Sequence, residues 1–214
     1  MNNFKFLINN IKANLQNALP GFEAHKILAP SNRQDLINKS NQNSRKISAV
    51  LILLYPDNDK IYIPLIRKQT NNGVHSGQIS FPGGKYESGD LTTDITAIRE
   101  TEEEIGVDRN DITILGKLSN IYIPVSNFQV EPYIGYINYK PDFIAQPQEV
   151  DEIINIEFHE IINHKLETKE IQTSAFTVDA PFMVFDKTQI WGATAMILYE
   201  FYMVVSEIYQ NNEK

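Results

Sequence analysis

The chain has 214 residues, 42% of them hydrophobic, which suffices to bury a core and fits a single domain spanning residues 1–214. It contains no cysteine, so disulfides, thiolate zinc sites and cysteine nucleophiles are excluded. A formal net charge of −8 argues against general nucleic-acid binding, which needs a basic footprint; a polyanionic small molecule has to be drawn in locally, by metal ions and a few basic side chains.

Phe4, Leu7, Ile8, Ile11 and Leu15 recur at helical spacing, which predicts an amphipathic helix over residues 3–17. Polar residues at every turn deny this segment the unbroken apolar run of a signal peptide. Residues 38–45 read as a polar loop. The dense apolar run 47–55 reads as a buried strand, with 60–67 as its partner across the turn Pro56-Asp57-Asn58-Asp59. A loop over 69–77 and a short strand lead into Phe81-Pro82, and a helix follows over about 91–105. Strands are predicted at 112–118, 130–139, 153–157 and 182–185. A last helix covers about 192–209, with Ile197, Leu198, Phe201, Val204, Val205 and Ile208 on its apolar side. Glu200 and Glu207 interrupt that stretch, which is too short to cross a bilayer. A soluble, cytoplasmic chain with no membrane partner is therefore expected. Strands interleaved with helices predict a mixed sheet between helical layers. The first and last helices either cover that sheet or meet a second copy of the chain in a homodimer.

The chemistry concentrates in residues 83–107, GGKYESGDLTTDITAIRETEEEIGV. A helix turns about 100° per residue, so Glu100, Glu103 and Glu104 share an arc of roughly 100° while Ile98 and Ile105 face the other way. Three carboxylates on one face repel one another unless a cation sits among them, and hard oxygens in that number suit Mg²⁺ or Mn²⁺. Most glutamate runs are solvated surface. Here the glycine pair, Arg99 and the spacing coincide, which points to a site. Gly83 and Gly84 permit close backbone approaches denied to other residues.

This segment resembles the Nudix box, the pyrophosphate-hydrolase signature G-x5-E-x7-R-E-U-x-E-E-x-G-U, where U is a bulky apolar residue. Arg99 to Val107 match its second half, with Thr101 in an apolar slot. Counted from Gly84, the acidic position falls on Asp90, and eight residues rather than seven separate it from Arg99. The Asp and the extra residue resemble the coenzyme A diphosphatase branch. So does the run LIRKQTNNGVHSGQISFPGGK at 65–85, in which Gly77, Phe81, Pro82, Gly83 and Gly84 fall in register. Gly73 stands where that branch has an arginine, and Arg67 or Lys68 is placed to supply the missing charge. Ile190 to Ala195 resemble a segment opening the final helix in the same branch, with Trp191 as a packing anchor.

The resemblance implies an α-β-α sandwich (α/β, or α+β) and a Mg²⁺- or Mn²⁺-dependent hydrolase of a coenzyme A-like diphosphate. It implies Glu100, Glu104, Glu103 and the Gly84 carbonyl as metal ligands, and Glu103 and Arg99 as catalytic residues, Arg99 orienting Glu103 and Asp90. A base comes from a loop outside the box, with Glu149 the candidate and Glu152 the reserve. Arg67, Lys68, His75, Gly77, Phe81 and Lys85 fall to the substrate. The alternatives are a pyrophosphatase for ADP-ribose, NADH or a dinucleotide, and a catalytically silent nucleotide-binding module. The intact carboxylates speak against the second.

Overall fold

A computed structural model describes residues 2–40, 45–69, 77–172, 177–186 and 188–210. In chain order the helices and strands are α1 (Asn2–Asn14), α2 (Phe22–His25), α3 (Arg33–Lys39), β1 (Lys46–Asp57), β2 (Lys60–Lys68), β3 (Ile79–Ser80), β4 (Gly83–Lys85), α4 (Thr93–Ile105), β5 (Thr113–Lys117), β6 (Ile121–Ile123), β7 (Phe128–Tyr136), β8 (Val150–Glu157), α5 (Phe158–Ile162), β9 (Lys165–Gln172), β10 (Thr177–Val184), β11 (Gln189–Trp191) and α6 (Gly192–Gln210).

The centre is β1, which reads as nearly continuous apolar sequence because both its faces are covered. Successive side chains alternate between the faces. Ala49, Leu51, Leu53 and Tyr55 pack with Ala97 and Ile105 of α4. Ile52 and Leu54 join the larger core built with α1 and α6, through residues such as Ile11, Phe201 and Val205. A mixed sheet with helices on both sides results, as the sequence predicts. Among the described residues no helix is long and apolar enough to cross a membrane.

The pairing of β1 with β2 departs from the expectation. The two strands pair only over Tyr55–Asp57 against Lys60–Tyr62. A strand has two edges, and those of β1 are already taken. One runs parallel to β7 from Lys46 to Leu54. The other carries β4 at Ser48–Val50, and the Leu51 N–H donates to the Pro82 carbonyl at 2.9 Å. β2 therefore splays from β1 and pairs instead with β8 over Tyr62–Lys68 and with β3. That divergence brings the end of β2 over the corner at β4 and the last turn of α4.

A second, three-stranded sheet, β11-β10-β9, packs beside α6. Only part of β10 is expected from sequence. β9 is a mostly exposed edge, KLETKEIQ, whose charges suit an unpaired rim and hide the strand. α3 is also unannounced, because RQDLINK buries no residue and shows no apolar stripe.

Candidate active site

α4 carries the box residues. It ends at Gly106, whose left-handed φ of 74° lets its N–H cap the Glu102 carbonyl. Thr101, in the slot expected to be apolar, is buried, and its hydroxyl donates to the Ala97 carbonyl at 2.7 Å. Satisfied within its own helix, the hydroxyl does not oppose burial.

Arg99 is the hub. Its guanidinium forks onto buried Asp90, Nε to Oδ1 at 3.0 Å and Nη2 to Oδ2 at 3.1 Å. It also reaches Glu100 and Glu103, each at 2.9 Å, and the Lys85 carbonyl at 3.2 Å. Asp90 further accepts from the Thr96 hydroxyl and the Glu87 N–H. Hydrogen bonds from Arg99 above all, with those of Glu87 and Thr96, overcome burial and hold its carboxyl down to about 2. Held between Asp90 and its other carboxylate partners, Arg99 has its own pKa raised above the usual value. The loop before α4, with its extra residue, thus ends in an ion pair that orients Arg99.

Glu104 is 1% exposed. One oxygen accepts the Gly83 N–H at 2.8 Å and the other faces Lys68 Nζ at 3.1 Å. Burial pushes its carboxyl above the ordinary range, and Lys68 and the Gly83 N–H offset only part of that. Burial likewise raises Glu100 against the opposing pull of Arg99. Gly83 is demanded by space, and a side chain at Gly84 would displace the Glu100 carboxylate. A Cβ at Gly83 would lie under 3.0 Å from the Ala49 carbonyl of β1, and one at Gly84 under 3.0 Å from the Glu100 carboxylate.

The geometry brings Glu100, Glu103, Glu104, Arg99, Asp90, Gly84 and Lys68 together. Glu149 is exposed, and its carbonyl accepts from the Gln69 N–H, next in chain to Lys68. Glu152 pairs with Arg67 across β2 and β8 at 3.1 Å. Phe81 is 1% exposed and belongs to the main core, so its side chain offers no surface to a substrate. Gly77 takes a left-handed φ of 68° in the turn before β3. Lys85 is exposed beside Gly84, and His75 and Gly73 lie outside the described residues. Trp191 lies against Phe182, with ring centroids 6.3 Å apart, as a packing anchor would.

Two features escape sequence reasoning. One is the Lys68–Glu104 pair, whose partners lie on separate elements. The other is the hydroxyl of Ser80, buried without a hydrogen-bond partner among the described residues. Ser80 stands opposite Ile66 in the β2–β3 register. Its only sequence signal is its place just before Phe81.

A family model of the Nudix domain matches residues 45–177, and the chain belongs to the Nudix family. It is 29% identical over 182 residues to Nudix hydrolase 3 of Caenorhabditis elegans, covering 77% of this chain and 75% of that protein. It is also 29% identical over 135 residues to the Nudix hydrolase NudL of Yersinia pestis (strain Pestoides F), covering 63% and 67%. Among solved structures, the Nudix hydrolase RenU from M. smegmatis superposes with a TM-score of 0.50 at 14% identity, over 77% of this chain and 89% of that one. A Nudix hydrolase from Nitrosomonas europaea gives 0.50 at 16% identity, over 78% and 74%. These structures share the fold. With curated relatives that are Nudix hydrolases, the chain is an enzyme of the pyrophosphatase class, acting on nucleoside diphosphate derivatives.

Nudix hydrolases generally need divalent metal ions. The donor set here suits one: hard oxygens, a buried carboxylate short of donors, and a glycine cradle that a Cβ would fill. As they lie, no three Asp, Glu or His among the described residues form a ready metal cluster, because Arg99 and Lys68 hold the box carboxylates.

Proposed function

We propose that the chain hydrolyses the diphosphate of coenzyme A or an acyl derivative, giving 3′,5′-ADP and (acyl-)4′-phosphopantetheine. The observation that carries this reading is the run from Gly77 to Gly84 joined to the lengthened Asp90–Arg99 spacing, both of which resemble the coenzyme A diphosphatase branch. The Arg99–Asp90 fork is compatible with it, since the shorter acidic side chain reaches the guanidinium across the eight-residue spacing.

Glu100, Glu103, Glu104 and the Gly84 carbonyl would hold Mg²⁺ or Mn²⁺. Such an ion neutralises phosphoryl oxygens and acidifies water. Arg99 keeps Glu100 and Glu103 turned to one side. Glu149, beside the end of β2, takes the proton from the attacking water, with Glu152 in reserve. Arg67, Lys68 and Lys85 supply positive charge toward the phosphates.

The test is kcat/KM for coenzyme A, ADP-ribose and NADH side by side with Mg²⁺ and with Mn²⁺, products identified by mass. Coenzyme A is expected to lead. A clear preference for ADP-ribose would move the substrate to the dinucleotide and ADP-ribose class and leave the hydrolase assignment intact.

A further inference from the structure

Lys68 closes β2, where the register against β8 shifts between Arg67 and Lys68. Its Nζ stands 3.1 Å from Glu104 Oε1 and 3.4 Å from the Gly83 carbonyl. A carboxylate and a carbonyl oxygen converging on one point are what a hard divalent cation takes as ligands. The ammonium occupies that point in the present structure. Two cations cannot share it, since near a buried carboxylate their repulsion is poorly screened.

The two cations of the site differ in how they are held. Arg99 is anchored by Asp90, Glu100, Glu103 and the Lys85 carbonyl, and only a sixth of its side chain is exposed. Lys68 sits on a flexible four-carbon stem, its side chain 32% exposed.

We propose that Lys68 is the internal occupant of the cation position at Glu104 in the metal-free protein, and that an entering divalent ion displaces it. Lys68 then acts as a positioning residue that keeps buried Glu104 compensated until metal arrives, and it lowers metal affinity by competition. The proposal rests on the Nudix metal site above, with which it shares Glu104; the Gly83 carbonyl is a further oxygen beside the Gly84 carbonyl of that site.

The test uses the full chain stripped with EDTA and titrated with Mn²⁺, free ion being read by electron paramagnetic resonance. K68M is expected to bind Mn²⁺ about tenfold more tightly than wild type, and K68R, which keeps the charge, within about threefold. K60M removes an exposed cation at the far end of the same strand and is expected to change affinity by less than about twofold. Metal-free K68M should melt below wild type, because Glu104 is left buried and uncompensated, and Mn²⁺ should raise its Tm by more than it raises that of wild type. K68Q serves if K68M does not fold. Equal or weaker Mn²⁺ binding in the neutral variant, with wild type binding normally, overturns the proposal alone. Wild type that takes up no Mn²⁺ overturns the metal site and the proposal together.

Discussion

Glu104 and Glu200 are both almost wholly out of water, at 1% and 0% exposed, and they are held in opposite ways. Glu200, on α6, accepts the Gly21 N–H at 3.0 Å and the Ser119 N–H at 3.2 Å on one oxygen. Its other oxygen lies 2.8 Å from His25 Nε2. Burial alone would raise its carboxyl, but the hydrogen bonds from His25 and Ser119 outweigh it and hold the group below the ordinary range. Glu104 has one backbone N–H and one movable ammonium, and burial wins. A carboxylate whose lone pairs the chain itself satisfies is a structural tie, here joining α6 to the segments before α2 and between β5 and β6. One left short of donors has an open demand for positive charge, which is what a metal site requires.

The largest expected effect lies on the structural side. Glu200→Ala leaves His25 and two backbone N–H groups without their acceptor and should cost about 3–5 kcal/mol in urea unfolding, with kcat of the folded fraction preserved. A loss below about 1 kcal/mol would put the two glutamates in one class. On the other side, Glu104→Gln should lower Mg²⁺-dependent kcat by about 100-fold or more, roughly 2.7 kcal/mol, while folding is retained. Turnover within a few-fold of wild type would remove Glu104 from the catalytic set. Gly84→Ala forces the Glu100 carboxylate off its position, and a displacement of about 1 Å should lower kcat/KM by about 10- to 100-fold. An unchanged kcat/KM would mean that Glu100 need not stand where it does.

The smallest effect separates the pair by sign. The folded carboxyl of Glu200 is depressed, so its stabilisation is present above the unfolded value of about 4.3 and is lost as pH falls through the folded value. The folded carboxyl of Glu104 is raised, so its contribution is complete below about 4.3 and is lost as pH rises through the folded value. Urea unfolding in EDTA at pH 7 and pH 4 should therefore show the penalty of Glu200→Gln shrinking at the lower pH. The difference between wild type and Glu104→Gln should move the other way. Shifts of the same sign would break the contrast.

Much of α4 was legible in the sequence because its information is local. The arc of Glu100, Glu103 and Glu104, the helix end near residue 105 and the buried run of β1 all follow from spacings within one element, which helix and strand geometry convert directly into faces. Asp90 and Arg99 are nine positions apart, and the signature alone brings them together. Phe81 shows the limit: its position in a motif suggested a substrate contact, and packing put it in the core.

What only the tertiary structure decided are the relations between elements. That β1 gives one edge to β7 and the other to β4, so that β2 must turn away to β8, depends on competition for hydrogen-bonding edges, and no single strand carries that information. The divergence of β2 sets Lys68 over Glu104 from 36 positions away, and the packing of α6 against α2 draws Gly21, His25 and Ser119 around Glu200. A sequence states which side chains an element offers on each face. Which donor meets which buried acceptor is settled when the faces close, and that meeting determines whether a buried glutamate is a tie or a site.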